Sequence, residues 1–199
     1  MGGQSLTYDA NGNMTRRLHG KVMTYDGENR PLSVTFNGKR TEYVYGADGS
    51  RLKMIQDAGT AQEKVTLYLG EVEIQNYGTG AGEVIMAYPH PDIRLTNGGS
   101  PAYFFRDQLN SVLSVWRQDG TAEAKRTYRP FGEVEEYAAP GTPEAKAYIG
   151  ERFDRDAGLS YLNARYYDPE LAKFIQPDWF EVTQPGVGTN GTHIALMIL

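Results

Sequence analysis

Three observations in the sequence predict an all-β chain, an antiparallel meander with very little helix. Short runs of β-branched and aromatic residues alternate with turns of Gly, Asn and Asp. Glycine (23) and proline (10) make up about a sixth of the 199 residues, which implies many turns. No stretch of twelve residues holds a helical period. Taken in order, Thr41–Tyr45, Ser50–Ile55, Lys64–Leu69, Val72–Tyr77 and Glu83–Tyr88 each read as one strand. Asn37-Gly38 separates VTF from KRTEYVY and predicts a type I′ hairpin, because both residues tolerate positive φ. Asp48-Gly49 and Asp119-Gly120 repeat that signal. Asn76–Ser100, with NYGTGAG, PHPD and TNGGS, reads as surface loops around the strand near Val84–Tyr88. The best helical candidate is Thr142–Ala147, with Thr142 as N-cap and Pro143 in the first turn.

Composition narrows the function classes. The chain is 40% hydrophobic, 23% charged and 12% aromatic, a folding composition, and Tyr (14) is twice as frequent as Phe (7). Without cysteine there is no disulfide frame, thiol nucleophile or Cys-based zinc site. A net charge of −5 and a pI near 5.3 argue against a general nucleic-acid binder. No apolar run approaches the ~20 residues of a membrane helix, and the first residues lack a signal-peptide layout.

Self-similarity is more informative. Tyr8-Asp9-Ala10-Asn11-Gly12-Asn13, Tyr25-Asp26-Gly27-Glu28-Asn29-Arg30 and Tyr45-Gly46-Ala47-Asp48-Gly49-Ser50 align without gaps, their starts 17 and 20 residues apart. The spacing fits one hairpin per unit, and such units bury an apolar face only by joining neighbours into a continuous sheet.

These segments resemble the YD-repeat (Rhs) family. The second half resembles the Rhs repeat-associated core, in an ordered series of motifs. The first is Tyr103 to Val112, with Asp107, Leu109 and Ser111, and the second is Pro130-Phe131-Gly132-Glu133. The third is Gly158 to Pro169, with Leu159, Arg165, Tyr166, Tyr167, Asp168 and Pro169, followed by Phe174 to Asp178, with Pro177. Phe105, Gln108 and Asn110 stand where the family usually has two His and a Gly, and Ala172 stands where it usually has Gly. The resemblance implies a curved strip of a β-shell that encloses a C-terminal toxin, one end closed by the core. It implies as partners the remaining YD repeats of the shell, a toxin domain and an immunity protein; from charge and hydropathy, neither nucleic acid nor a membrane span is expected. It implies a bacterial protein, cytoplasmic until exported with its full-length parent. Some members free the toxin by aspartate-dependent self-cleavage, but the Asp-Pro-x-Gly-Leu element for that is absent from this sequence.

The expected organisation is YD repeats over 1–75, a loop-rich hairpin region over 76–101, the core over 102–190 and an aberrant tail over 191–199. The tail GTHIALMIL departs from the family pattern, yet codons exist for which a shifted frame reads Arg-Tyr-Ala-Tyr-Ser-Leu-Asn-Asp-Pro. A frameshift just after Asn190 is therefore expected.

Candidate chemistry is sparse. In the Tyr-Asp pairs at 8–9, 25–26 and 167–168, Tyr is expected to pack on the sheet and Asp to bind turn amides. The alternative is a glycan-binding surface of tyrosine rings with Asp and Asn acceptors. Asp9, Asn11 and Asn13 alternate like calcium ligands but lack the order and closing Glu of an EF-hand. Asp154, Asp156, Asp168 and Asp178 could supply a carboxylate pair, but all sit in turn-like contexts. His19, His90 and His193 are scattered. Arg152, Arg155 and Arg165, with Tyr161, Tyr166 and Tyr167, read as half-exposed sheet pairs rather than a stacking surface for nucleic acid. The expectation is a structural protein with no cofactor, metal site or enzymatic activity, whose open sheet edges promote self-association. Sequencing the gene past codon 190 checks the frameshift: another frame should continue as Arg-Tyr-Ala-Tyr, and stops in every frame would refute it.

Overall fold

Short strands joined by tight turns pair most cheaply with their sequence neighbours, and this chain does so throughout. The computed structural model describes residues 6–17, 20–138 and 144–178. The first seven strands are β1 (Thr7–Tyr8), β2 (Met14–Arg16), β3 (Val22–Tyr25), β4 (Pro31–Phe36), β5 (Lys39–Tyr45), β6 (Arg51–Gln56) and β7 (Lys64–Leu69). They continue as β8 (Val72–Gln75), β9 (Val84–His90), β10 (Ile93–Thr96), β11 (Pro101–Arg106), β12 (Val112–Arg117), β13 (Ala122–Tyr128) and β14 (Val134–Ala138). All fourteen form one antiparallel meander in chain order. A second sheet holds β15 (Arg152–Asp154), β16 (Leu159–Leu162), β17 (Arg165–Asp168) and β18 (Lys173–Phe174), again in order. The all-β meander is as the sequence predicts.

Local details differ. Asn76–Ser100 is more regular than its composition suggests: β9 runs on through Pro89 and His90, and β10 fills the gap between PHPD and TNGGS. The strand expected over Val72–Tyr77 stops at Gln75, because Asn76 takes φ 58° and turns the chain. Asn37 and Gly38 both have positive φ, as a type I′ turn requires. At Asp48-Gly49 and Asp119-Gly120 only the glycine does. Of the helical candidate Thr142–Ala147, Thr142 and Pro143 lie outside the described residues. Residues 144–147 are not helical, and Lys146 forms an isolated bridge to Arg152. A single 3-10 turn follows at Tyr148–Gly150. The tail, 191–199, also lies outside the described residues, as do His19 and His193.

Cross-strand partners share a face, so the registers sort the sheet's side chains. Met23 opposes Val34, Tyr43 opposes Met54, Glu73 opposes Met86, and Phe104 opposes Val115. These are all buried and define the inner face. On its N-terminal half, Met14, Met23, Val34, Tyr43, Met54 and Tyr68 pack in one cluster with Leu159, Tyr161, Tyr166 and Ile175 of the second layer. On its C-terminal half, Met86, Tyr88, Phe104, Val112 and Val115 form another.

Charges are buried between the layers. Arg94 bonds Glu144 at 2.6 Å and Glu123 at 2.5 Å. Arg126 donates to the carbonyls of Glu144 and Lys146. Arg152 meets Glu73 at 2.7 Å, and Arg51 meets Asp154 at 2.5 Å. Lys21 Nζ and Arg17 Nε each lie 3.0 Å from Asp168 Oδ2. Arg51 is also sandwiched between the rings of Tyr68 and Tyr161. Removing one partner of such a pair typically costs about 3–5 kcal/mol, because the other charge stays buried.

Burial pushes the Glu73 carboxyl above its usual range, opposed by the Arg152 charge and reinforced by Glu144. The folded state therefore holds the Glu73 proton at pH values where the unfolded chain has lost it. Stability from this group is full below the ordinary glutamate range and falls as pH rises through the raised folded value. Denaturant midpoints measured against pH should show that fall, and Glu73→Gln should flatten it. An unchanged slope in the variant would assign the effect elsewhere.

Candidate functional site

One turn recurs along the sheet. In residues 9–13, 26–30, 46–50, 107–111, 117–121 and 129–133, the first N–H donates to the fifth carbonyl and the fourth N–H to the first carbonyl. The fourth residue has positive φ: Gly12, Asn29, Gly49, Asn110, Gly120 or Gly132. Each turn displaces the strand register by one residue, as a type I turn with a glycine-type bulge does.

The aspartate of the repeat serves this turn. Asp9 Oδ1 accepts from the amides of Asn11 and Asn13, Asp26 Oδ1 from those of Glu28 and Arg30, and Asp107 Oδ1 from those of Leu109 and Ser111. Arg30 Nε closes on Asp26 Oδ2 at 2.7 Å. Asn11 and Asn13 both donate to Asn29 Oδ1 and so link the first two turns. The Asp107 turn is visible in the sequence as Asp three residues before Asn, but Arg106 stands where Tyr8 and Tyr25 precede Asp9 and Asp26.

In three of these turns the preceding tyrosine ties the turn to the one before it on that edge. Tyr25 Oη donates to the Met14 carbonyl at 2.6 Å, Tyr45 to Pro31 at 2.8 Å and Tyr128 to Val112 at 2.8 Å. Each acceptor is the first residue after the preceding turn of that edge. Burial pushes the Tyr25 and Tyr45 hydroxyls far up, so they remain donors. Tyr8, at the start of the sheet, is exposed.

The core motifs converge where the layers meet. Tyr148 Oη donates to the Pro130 carbonyl and Tyr167 Oη to the Phe131 carbonyl. The Tyr148 ring lies on Gly132, where a Cβ would stand 2.3 Å from it, and φ there is 86°. Glu133 pairs with Arg129, and buried Ser111 accepts the Ile149 amide. The Gly158 carbonyl accepts Lys21 Nζ, and Leu159 is fully buried. Asp168 Oδ1 accepts the amides of Glu170 and Leu171, just past buried Pro169. Arg165 stacks on Phe174 at 3.8 Å and pairs with Asp178 at 3.1 Å, and Pro177 lies against Gly12.

Of the four carboxylates suggested by the sequence, Asp154 meets Arg51, Asp168 meets Arg17 and Lys21, and Asp178 meets Arg165. Asp156 binds Lys39 and Gln56. Arg165, Tyr161, Tyr166 and Tyr167 are buried rather than half-exposed, because β16 and β17 lie beneath the larger sheet. Among the described residues no group of His, Asp and Glu is placed to hold a metal ion. Nor is any helix there long and apolar enough to cross a membrane. A cleft of about 490 Å³ opens between the second and third turns and β16–β17, lined by Glu28, Arg30, Tyr45, Asp48, Tyr161 and Gln176.

No family model matches the chain. It is 29% identical over 206 residues to the tRNA3(Ser)-specific nuclease WapA of Bacillus spizizenii, and equally to the tRNA nuclease WapA of Bacillus subtilis. The match takes in 96% of the chain but 8% of each relative. A salivary gland surface protein of Aedes aegypti is 27% identical over 88% of the chain and 6% of its own length. The fold recurs in a crystal structure of TcdB2-TccC3, with TM-score 0.80 and 18% identity, and in a Photorhabdus luminescens Tc holotoxin pore, with TM-score 0.79 and 20% identity. Each of these covers 94% of this chain and 10% of the other. The likeness to the WapA proteins and the shared fold agree with the resemblance of the repeat and core motifs to the YD-repeat (Rhs) family. The YD signature of this chain is thus a turn device, with Asp closing a bulged turn and Tyr fastening it to its predecessor.

Gly132→Ala should destabilise the fold by at least about 2 kcal/mol, through overpacking against Tyr148 and the left-handed backbone. Chemical unfolding checks this. A loss under about 0.5 kcal/mol, the range of ordinary surface substitutions, would show that the Tyr148 contact does not hold the layers.

Proposed function

We propose that this chain is a strip of the wall of a β-shell that encloses a toxin within a longer protein and delivers it in competition between bacteria. The carrying observation is that Asp–amide bonds close the repeat turns while Tyr25, Tyr45 and Tyr128 each bond the main chain just past the preceding turn of their edge, a pattern that can be extended along a wall. The relatives support it: proteins named as nucleases and a Tc toxin assembly, of which this chain spans about a tenth or less. On this reading the wall isolates its cargo sterically and does no chemistry of its own. Every candidate carboxylate is engaged by a basic or amide group, in keeping with a structural role. Its partners are then the remaining repeats of the shell, the toxin domain and that toxin's immunity protein.

A second reading, a glycan-binding module, is favoured by one feature, the 490 Å³ cleft with its acidic, arginine and tyrosine lining. The repeat tyrosines serve it less well, because the hydroxyls of Tyr25 and Tyr167 are already bonded to the main chain. A glycan array separates the two: a flat signal fits the wall, and saturable binding lost in Tyr45→Ala fits adhesion. Incubating the purified chain with tRNA and polysaccharides should give no turnover and no change in its intact mass. Turnover abolished by Asp168→Ala or Asp178→Ala would overturn the wall reading.

A further inference from the structure

The inner face of the large sheet carries two apolar clusters, one around Tyr43 and Met54, the other around Met86 and Phe104. Between them the face turns polar. The registers set Gln56 opposite Lys64 and Thr66 opposite Gln75 on β6, β7 and β8. There a cleft of about 430 Å³ opens between the sheet and β15 with the turn after it. It shares no lining residue with the cleft beside the second and third turns. Small-molecule sites commonly measure about 300–1,000 Å³.

Four carboxylates line this cleft, and each already has a cation. Asp156 has Lys39, Asp154 has Arg51, Glu73 has Arg152 and Glu144 has Arg94. Two further cations line it without an acid. Lys64 and Arg155 are both exposed, and neither meets a carboxylate among the described residues. Arg155 stacks on the Tyr137 ring at 3.9 Å, which orients the guanidinium and leaves its N–H edge for an anion. The unmatched charge of the cleft is therefore positive.

A third group lacks a partner. Thr66 is 5% exposed and lines the cleft, yet its hydroxyl makes no hydrogen bond among the described residues. Buried polar groups are nearly always bonded, and one left open toward a cavity is a ready contact for a ligand. Lys64 and Thr66 stand two residues apart on one face of β7, so a single carboxylate can reach both. The remaining wall is apolar, from Met54, Tyr68 and Phe153.

We propose that this cleft binds a small organic acid. Its carboxylate takes the Lys64 ammonium, the Arg155 guanidinium and the Thr66 hydroxyl, and its apolar body lies against Met54, Tyr68 and Phe153. Arginine favours the planar, two-oxygen geometry of a carboxylate. The apolar wall favours an acid with a hydrocarbon body over a bare inorganic ion. This site goes beyond the wall reading, which calls for no ligand, and does not rest on it.

The test is titration of the full 199-residue chain with 4-phenylbutyrate, followed by calorimetry and by chemical shifts. Saturable binding is expected, with a Kd on the order of 1 mM or tighter. Thr66→Val keeps the side-chain shape and should weaken binding by about fivefold, the effect of one net hydrogen bond. Lys64→Ala with Arg155→Ala should weaken it by at least about tenfold, and both side chains are exposed, so the fold is kept. Acetate carries the head without the body, and 4-phenylbutanol the body without the charge; each should bind at least about tenfold more weakly. No saturation by 4-phenylbutyrate would overturn the proposal. Equal binding of acetate would overturn it in favour of an adventitious ion only. Equal binding of the alcohol, or binding unchanged in both variants, would also sink it.

Discussion

A sheet built as one meander has no second layer of its own, and every strand leaves one face to be covered. Here the cover is the segment from Glu144 to Asp178, and buried charge holds it in place. Arg17, Lys21, Arg51, Arg94 and Arg126 of the larger sheet and its turns reach carboxylates or carbonyls of that segment, while Glu73 receives Arg152 in the opposite sense. Each pair fixes a position, because separating buried partners leaves an uncompensated charge out of water. The apolar clusters supply the drive to associate, and the ion pairs select one register for the two layers.

That division explains why the core motifs look unlike the repeats in sequence yet depend on them. Pro130, Phe131 and Gly132 form one of the recurring turns, but their carbonyls and bare Cα receive Tyr148 and Tyr167. Asp168 closes a turn with one oxygen and neutralises Lys21 and Arg17 with the other. A residue type that serves locally in the repeat is used twice in the core, once locally and once across the layers.

The strands and most hairpins were legible in the sequence because period-2 alternation and Gly/Asn punctuation act locally. β10 was missed because its four residues, IRLT, put Arg94 on the covered face, where an apolar residue would have given the signal. The bulged turns at Asp48-Gly49 and Asp119-Gly120 were not separable from type I′ turns, since both need glycine at the same place. Thr142–Ala147 carried helix-start chemistry, but residues 144–147 are not helical, because Arg126 and Val112 claim backbone carbonyls that a helix would have used. The depth at which Arg165, Tyr166 and Tyr167 are buried could not be read, because it depends on a sheet about 100 residues upstream.

The topology also separates the two layers in time. Every pairing in the fourteen-stranded sheet joins strands adjacent in the chain, so it closes short loops and can form hairpin by hairpin as the polypeptide leaves the ribosome. The contacts between layers span far more chain, 147 residues from Lys21 to Asp168 and 103 from Arg51 to Asp154. They form only once the last strands have been made. During synthesis the inner face of the growing sheet therefore stays open to water, its Arg17, Lys21 and Arg51 still without Asp168 and Asp154, until the last strands have been made.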